Sequence, residues 1–244
     1  MSASDPVGPA DPAAPAAPAQ PAERTAPAAP ATSASPGRPA VGVGPHPEPW
    51  PTDPRLDPDL LAHGDRRNVP DRFRYWRRDA IVAELDRATR NDLHIAIENV
   101  EHDFNIGSIV RTANAMGVAA FHIVGRRRWN RRGAMVTDRY QHEHHHPTPE
   151  EFIAWARSAG REIIAIDNVD GAVPLEHTPL PASSVLVFGE EGGGVSPEIL
   201  RAASAIVGIS QFGSTRSINV GHAAAIVMHT WVTQHVDVPR DLHR

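Results

Sequence analysis

The sequence contains neither cysteine nor lysine. Without cysteine there are no disulfides, no thiolate metal sites and no cysteine nucleophile, although this does not by itself locate the chain. Without lysine, all 24 basic residues are arginine, a bias that either high-GC codon usage or selection for bidentate phosphate contacts would produce. Long apolar runs are missing too. None approaches the roughly 20 residues needed to cross a bilayer, and the N-terminus lacks the basic start and continuous apolar core of a secretion signal. The expectation is a cytoplasmic protein with no membrane partner. No G-x-G-x-x-G follows the first strand-like run, and the one glycine-rich segment lacks the Lys and Ser/Thr of a phosphate-binding loop, which argues against nucleotide sites of those kinds. An excess of basic charge is also absent: the net charge is −5, so any argument for nucleic acid must come from local distribution.

What is present divides the chain unevenly. Residues 1–54 hold 15 of the 24 prolines and 14 alanines, with almost no large apolar side chain before Trp50. Such a segment cannot bury enough surface to offset its ordering entropy and reads as a disordered Pro/Ala-rich tail. Residues 55–91 read as a basic helical extension and 92–244 as one folded domain. In the extension, arginines 66, 67, 72, 74, 77 and 78 interleave with Phe73, Tyr75 and Trp76 beside only two acids, Asp65 and Asp71. Either this segment holds phosphates and stacks on bases, with Arg74 and Arg77 as contacts, or it is a surface helix with inward aromatics and solvated arginines. The helix is expected to continue through Ile81, Val82, Leu85 and Ala88.

Strands are expected at 93–98 and 119–124, the second a continuous apolar run apart from His122, as in parallel strands buried on both faces. Five arginines in seven residues follow, from Arg126 to Arg132 around Trp129. They stand just past a strand's C-terminal end, where open α/β sheets bind ligands, and Arg126, Arg127, Arg128 and Arg131 are read as RNA contacts, with a merely solvated surface as the alternative. The cluster His142 to His146 is read as loop or RNA-facing histidines; adjacent ligands in an irregular loop rarely close a tetrahedral shell, and no metal site is expected. Then come a helix at 149–159, strands at 162–166 and 184–188, a short helix opened by Ser196 and Pro197, a strand at 205–209 and a closing helix at 218–236. Alternating strands and helices indicate α/β with a mainly parallel sheet.

Three polar segments carry chemistry. N-V-E-H-D-F-N-I-G-S-I-V-R, residues 99–111, places Asn105 and Gly107 where a strand hands over to a helix and Arg111 less than two turns further on. By itself this fits equally an N-cap Asn, a turn Gly and a solvated Arg. G-E-E-G-G-G-V at 189–195 carries two acids that would repel a phosphate and suit a ligand with positive or polar hydrogen-bonding groups, or else it is a tight surface turn. S-I-N-V stands at 217–220.

In their order and setting the three segments resemble the motifs of the SpoU (TrmH-type) branch of the SPOUT RNA methyltransferases, over residues 70–236. The resemblance implies a SPOUT fold: helices on both faces of a mainly parallel sheet, a C-terminal trefoil knot, and a homodimer with each RNA site at the subunit interface. It also implies S-adenosyl-L-methionine held through backbone groups at Gly189, Gly194, Ile209 and Ile218, and transfer of its methyl to a ribose 2′-hydroxyl with Asn105, Arg111, Glu191, Ser217 and Asn219 as functional polar positions. Because a guanidinium is a poor base, Arg111 is expected to fix a neighbouring phosphate and stabilise developing alkoxide, while Asn105 and Asn219 hold geometry. Departures fall mainly around the cofactor loops: Phe104 where many members have Pro, Ser210 and Gln211 in place of Pro and Met, and Gly221-His222 in place of Ser-Val. The short extension is most like that of the tRNA guanosine-18 2′-O-methyltransferases, with ribosomal RNA as the alternative substrate. A non-catalytic RNA-binding factor of the same fold and an α/β enzyme using another nucleotide are the competing readings.

Overall fold

A computed structural model describes residues 42–88, 90–99, 105–190 and 192–237. Seven strands form one sheet: β1 (Asn91–Asn99), β2 (Val118–Gly125), β3 (His142–His146), β4 (Glu162–Ile166), β5 (Val173–Pro174), β6 (Ser184–Phe188) and β7 (Ala205–Gly208), in the order β3-β2-β1-β6-β4-β7-β5. Every pair is parallel. Chain order reverses between β1 and β6, so the crevice beyond the C-terminal ends of β1, β6, β4 and β7 is the place where such sheets hold ligands. The central strands are buried on both faces, as β6 is at all five positions, and this explains why they read as apolar runs rather than as alternation.

Two layers of helix cover the sheet. On one face α3 (Ile106–Ala115) and α6 (Val220–His235) bury Ile109, Val110, Val227 and Met228 against Leu93, Ile95 and Ile97. On the other, α4 (Pro149–Ser158) and α5 (Pro197–Ala202) bury Phe152, Ala156 and Ile199 against Ala96, Val185 and Val187. Each fully buried Ile or Phe contributes about 1.5–3 kcal/mol relative to exposure. Helix starts follow local chemistry. Thr148 accepts the Glu151 N–H at the head of α4 with Pro149 in its first turn, and Asn219 accepts the Gly221 and His222 N–H groups at the head of α6.

Three expectations are corrected. The basic segment 66–77 is not part of a helix: α2 runs only from Arg78 to Ala88, after a single 3-10 turn at Asp71–Phe73. The cause is Asp65, whose fully buried carboxylate accepts the Arg67 and Tyr75 backbone N–H groups and pairs with the Arg67 guanidinium at 2.7 Å. That capture bends the chain, and Tyr75 takes φ 62. Burial alone would raise the Asp65 pKa, but these donors outweigh it and hold it low. Secondly, the expected tail reaches to residue 54, yet Val43 pairs with Asp65 through both backbone groups, and Gly44 O accepts the Tyr75 hydroxyl at 2.6 Å. Residues 1–41 of that tail lie outside the described residues. Thirdly, His142–His146 is an edge strand, not a loop; His146 is buried and His144 lies in register with His122. The other expected elements match to within a few residues at their ends, while α1 (Pro58–His63), short 3-10 turns at Arg131–Ala134, Thr137–Tyr140 and Leu175–His177, and the two-residue β5 in the segment read as a polar loop are additional.

Candidate active site

Three loops leave the C-terminal ends of β4, β6 and β7 and enclose a cavity of about 560 Å³. Its lining includes Asp167 and Asn168 after β4, Gly189, Glu190 and Gly194 after β6, and Ile209, Gln211, Ser217, Ile218 and Asn219 after β7. The volume lies in the range of small-molecule sites, roughly 300–1,000 Å³.

The glycine-rich loop is shaped by close backbone approach. A Cβ on Gly189 would lie 2.0 Å from the Gly194 carbonyl carbon, so no side chain fits there while the loop keeps this turn. Glu190 and Gly194 pair as an isolated bridge, closing the loop on itself. Two carboxylates then hold its end: Asp167 Oδ2 accepts the Val195 N–H at 2.8 Å, and Glu98 Oε2, from β1, accepts the Ser196 N–H at 2.7 Å. Glu98 is buried, and burial raises its pKa above the ordinary carboxylate value. Ser196 occupies the N-cap position of α5 without a side-chain capping bond; its backbone, not its hydroxyl, does the anchoring. Neither Asp167 nor Glu98 stood out in the sequence, because the neighbours of a lone acid at a strand end are fixed only by sheet order.

The 105 and 217 segments meet at this rim. Asn219 Nδ2 donates to Asn105 Oδ1 at 3.1 Å, across 114 positions of sequence. With its other atom, Oδ1, Asn219 caps α6, so one carboxamide fixes the start of α6 to the start of α3. Gly107 lets α3 sit against the segment after the arginine-rich run, since a Cβ there would lie 2.6 Å from the Gly133 Cα.

Of the residues singled out from sequence, Gly189, Gly194, Ile209, Ile218, Ser217 and Asn219 line the one cavity, and Asn105 touches it through Asn219. Glu191 lies outside the described residues, as does Phe104. Arg111 does not line the cavity: it projects from the exposed face of α3, about 9 Å of helix rise beyond Asn105. Among the arginines, Arg126, Arg127 and Arg128 are exposed, whereas Arg131 pairs with Asp138 at 2.9 Å and Glu143 at 2.8 Å and lies over the Trp129 ring. Arg74 donates to Arg67 O and pairs with Asp71, and exposed Arg77 donates to Leu56 O. Trp129 is buried, so the aromatic in the basic run belongs to the core.

The histidines form a separate arrangement under α4. His94 Nδ1 lies 2.9 Å from His122 Nε2, and His122 Nδ1 lies 2.9 Å from His146 Nε2, with Trp155 packed on His122 at 3.9 Å between ring centroids. Nitrogens paired so closely with one another are shared hydrogen-bond partners rather than ligands around a common point. Among the described residues no group of three or more His, Asp or Glu is placed to hold a metal ion. Burial, and then the neighbouring imidazoles, push His122 down to about 2, while burial first brings His94 and His146 to about 4.

Residues 92–229 match the family model described as the SpoU rRNA Methylase family. The chain belongs to that family. Its relatives include a tRNA (guanosine(18)-2′-O)-methyltransferase of Escherichia coli (strain K12), 27% identical over 155 residues covering 62% of this chain and 68% of that protein. The enzyme of the same description from Thermus thermophilus is also 27% identical over 155 residues, covering 60% and 77%. Among solved structures, the A. aeolicus TrmH/SpoU tRNA modifying enzyme superposes with a TM-score of 0.57 at 25% identity, over 64% of this chain and 81% of that one. Within this SpoU member the matched span contains all three polar segments, and the cavity is the candidate active site of a methyltransferase.

Proposed function

We propose that the protein is an S-adenosyl-L-methionine-dependent RNA methyltransferase that methylates a ribose 2′-hydroxyl, with tRNA as substrate and guanosine 18 as the position. The observation that carries this reading is the hydrogen bond between Asn105 and Asn219 at the rim of the glycine-loop cavity, which joins segments of sequence otherwise far apart. The relatives named above supply the substrate; ribosomal RNA is the alternative.

The residues present fit the donor. Glu190 and Asp167 give the cavity acceptors and negative charge suited to a cationic ligand, and no lysine is present to favour a triphosphate. Gly189, Gly194, Ile209 and Ile218 would hold the cofactor along the loop backbones. When bound, S-adenosylmethionine supplies a methyl group already activated on a sulfonium. What falls to the protein is alignment of the ribose hydroxyl and support for the loss of its proton. Asn105 and Asn219, each fixed by the other, set that geometry, with Ser217 beside them. Arg111 is the cation that fixes the adjoining phosphate and stabilises negative charge on the ribose oxygen; Glu191 completes the polar set.

Arg111 faces outward from α3, and this favours a homodimer in which each RNA site is completed across the subunit interface. Arg126, Arg127 and Arg128, at the C-terminal end of β2, form the basic surface that receives RNA, together with Arg74, Arg77 and Arg131. Residues 92–244 form the catalytic domain with a C-terminal trefoil knot; the basic extension that precedes it takes in the segment from Val43, which pairs with Asp65, and the protein works in the cytoplasm. The test is incubation with labelled methyl donor and tRNA lacking the guanosine-18 modification, followed by mapping of the methylated ribose. Label on the 2′-oxygen of that nucleotide is expected; label on a base, or none on tRNA or ribosomal RNA, refutes the reading.

A further inference from the structure

Within the cavity, one backbone edge already has a partner. Asn168, the second residue after β4, directs its carboxamide at Ile209 at the end of β7: Oδ1 accepts the Ile209 N–H at 3.0 Å, and Nδ2 donates to the Ile209 carbonyl at 3.4 Å. The backbone ladder between β4 and β7 continues just before this point, with Asp167 N–H donating to Val207 O at 3.1 Å. The side chain therefore replaces the next rung of the ladder. Its seat depends on Gly208, where a Cβ would lie 2.7 Å from Asn168 Oδ1.

An acceptor and a donor side by side, facing a backbone N–H and C=O, are also what the N1 and exocyclic N6 of an adenine present. Asn168 and Ile209 both line the cavity, so the carboxamide already covers a backbone N–H and C=O that could serve an adenine edge equally well. An N–H donates to one acceptor well, not to two. We propose that Asn168 is a latch: its carboxamide competes with the cofactor's purine for the Ile209 N–H and C=O and swings away when the purine takes them. Exposed as it is at the loop surface, Asn168 has solvent to turn into. Glu176, which accepts the Ser210 N–H at 3.2 Å and the Ser210 hydroxyl at 2.9 Å, holds the following residue from the other side, so the edge stays in place when the carboxamide leaves. Closure lowers the fraction of molecules ready to bind, and the apparent affinity falls by that fraction.

This inference rests on the cavity being the S-adenosylmethionine site. The experiment is calorimetric titration of the full chain and of Asn168→Ala with S-adenosylhomocysteine, accompanied by thermal melts and by hydrogen exchange at the Ile209 amide. Removing the latch is expected to tighten binding about tenfold, with faster association, and to speed exchange at Ile209 in the ligand-free protein. In wild type saturated with S-adenosylhomocysteine, the Asn168 side-chain amide is expected to move to solvent-exposed NMR shifts while the Ile209 amide stays protected. S-inosylhomocysteine, whose hypoxanthine reverses the donor and acceptor, is expected to bind wild type far more weakly. Equal or weaker binding by Asn168→Ala overturns the latch, and so does a wild-type complex in which the Asn168 amide keeps its ligand-free shift; the latter measurement decides the matter if the variant does not fold. No binding by either protein would remove the cofactor reading itself, and the latch with it.

Discussion

The two faces of the sheet are built on different terms. Under α3 and α6 the buried side chains are mostly apolar, from Ile109 and Val110 to Met228 and Trp231, and the polar ones among them, Asn99 and Ser184, are neutral. Under α4 and α5 the layer also contains His94, His122 and His146 in a hydrogen-bonded row, and the Glu98 carboxylate. On this apolar face α3 and α6 pack side by side, and from their N-cap positions Asn105 and Asn219 meet. The polar face accepts costly buried groups, and Glu98 uses that position to hold the end of the glycine loop. One face thus supports the site by packing, the other by hydrogen bonds that titrate.

The contrast can be broken at several points, in descending order of expected effect. Gly189→Ala forces the glycine loop open, since its Cβ would lie 2.0 Å from the Gly194 carbonyl carbon; S-adenosylhomocysteine binding is expected to fall more than about a hundredfold, that is by over about 2.7 kcal/mol, in a calorimetric titration. On the apolar face, Ile109→Ala is expected to cost about 2–5 kcal/mol of unfolding free energy by chemical denaturation, without changing the pH dependence of stability.

On the polar face the pH dependence itself is the signature. His122 is neutral when folded and titrates near 2, well below its ordinary value, so between those values the unfolded chain binds the extra proton and stability falls as pH falls. From about pH 6.5 to pH 5 this one residue is expected to remove about 2 kcal/mol, and His122→Phe should flatten the slope in melts between those pH values. Glu98 has the opposite sign: its raised pKa favours the protonated folded form, so stability falls as pH rises through its ordinary range. Glu98→Gln keeps an acceptor for Ser196 N–H and is expected to raise the melting temperature at pH 7. The smallest effect is expected at Val136, a β-branched residue at φ 71: Val136→Gly should gain about 1 kcal/mol in denaturant titration.

Strand positions were legible because buried parallel strands write themselves as apolar runs, and the family was legible because three motif segments stood in order. The surroundings of single polar residues were not. Asp65 looked like one of two acids in a basic helix; its burial, which bends residues 66–77, depends on contacts with Arg67 and Tyr75. The row at 142–146 looked like a loop of histidines because a strand whose buried side is imidazole lacks the apolar alternation that marks a strand. Asp167, Asn168 and Glu98 support the cavity only because β4, β6, β7 and β1 lie side by side in an order that no local pattern announces.

The central claim, that the loops after β4, β6 and β7 form one cofactor site with Asn105 at its rim, is tested most directly by an amide NMR titration with S-adenosylhomocysteine. Shifts are expected to concentrate in residues 166–169, 189–195 and 209–219 and to extend to Asn105 and the head of α6. Shifts confined elsewhere, to the histidine row or to the run from Arg126 to Arg132, would contradict it.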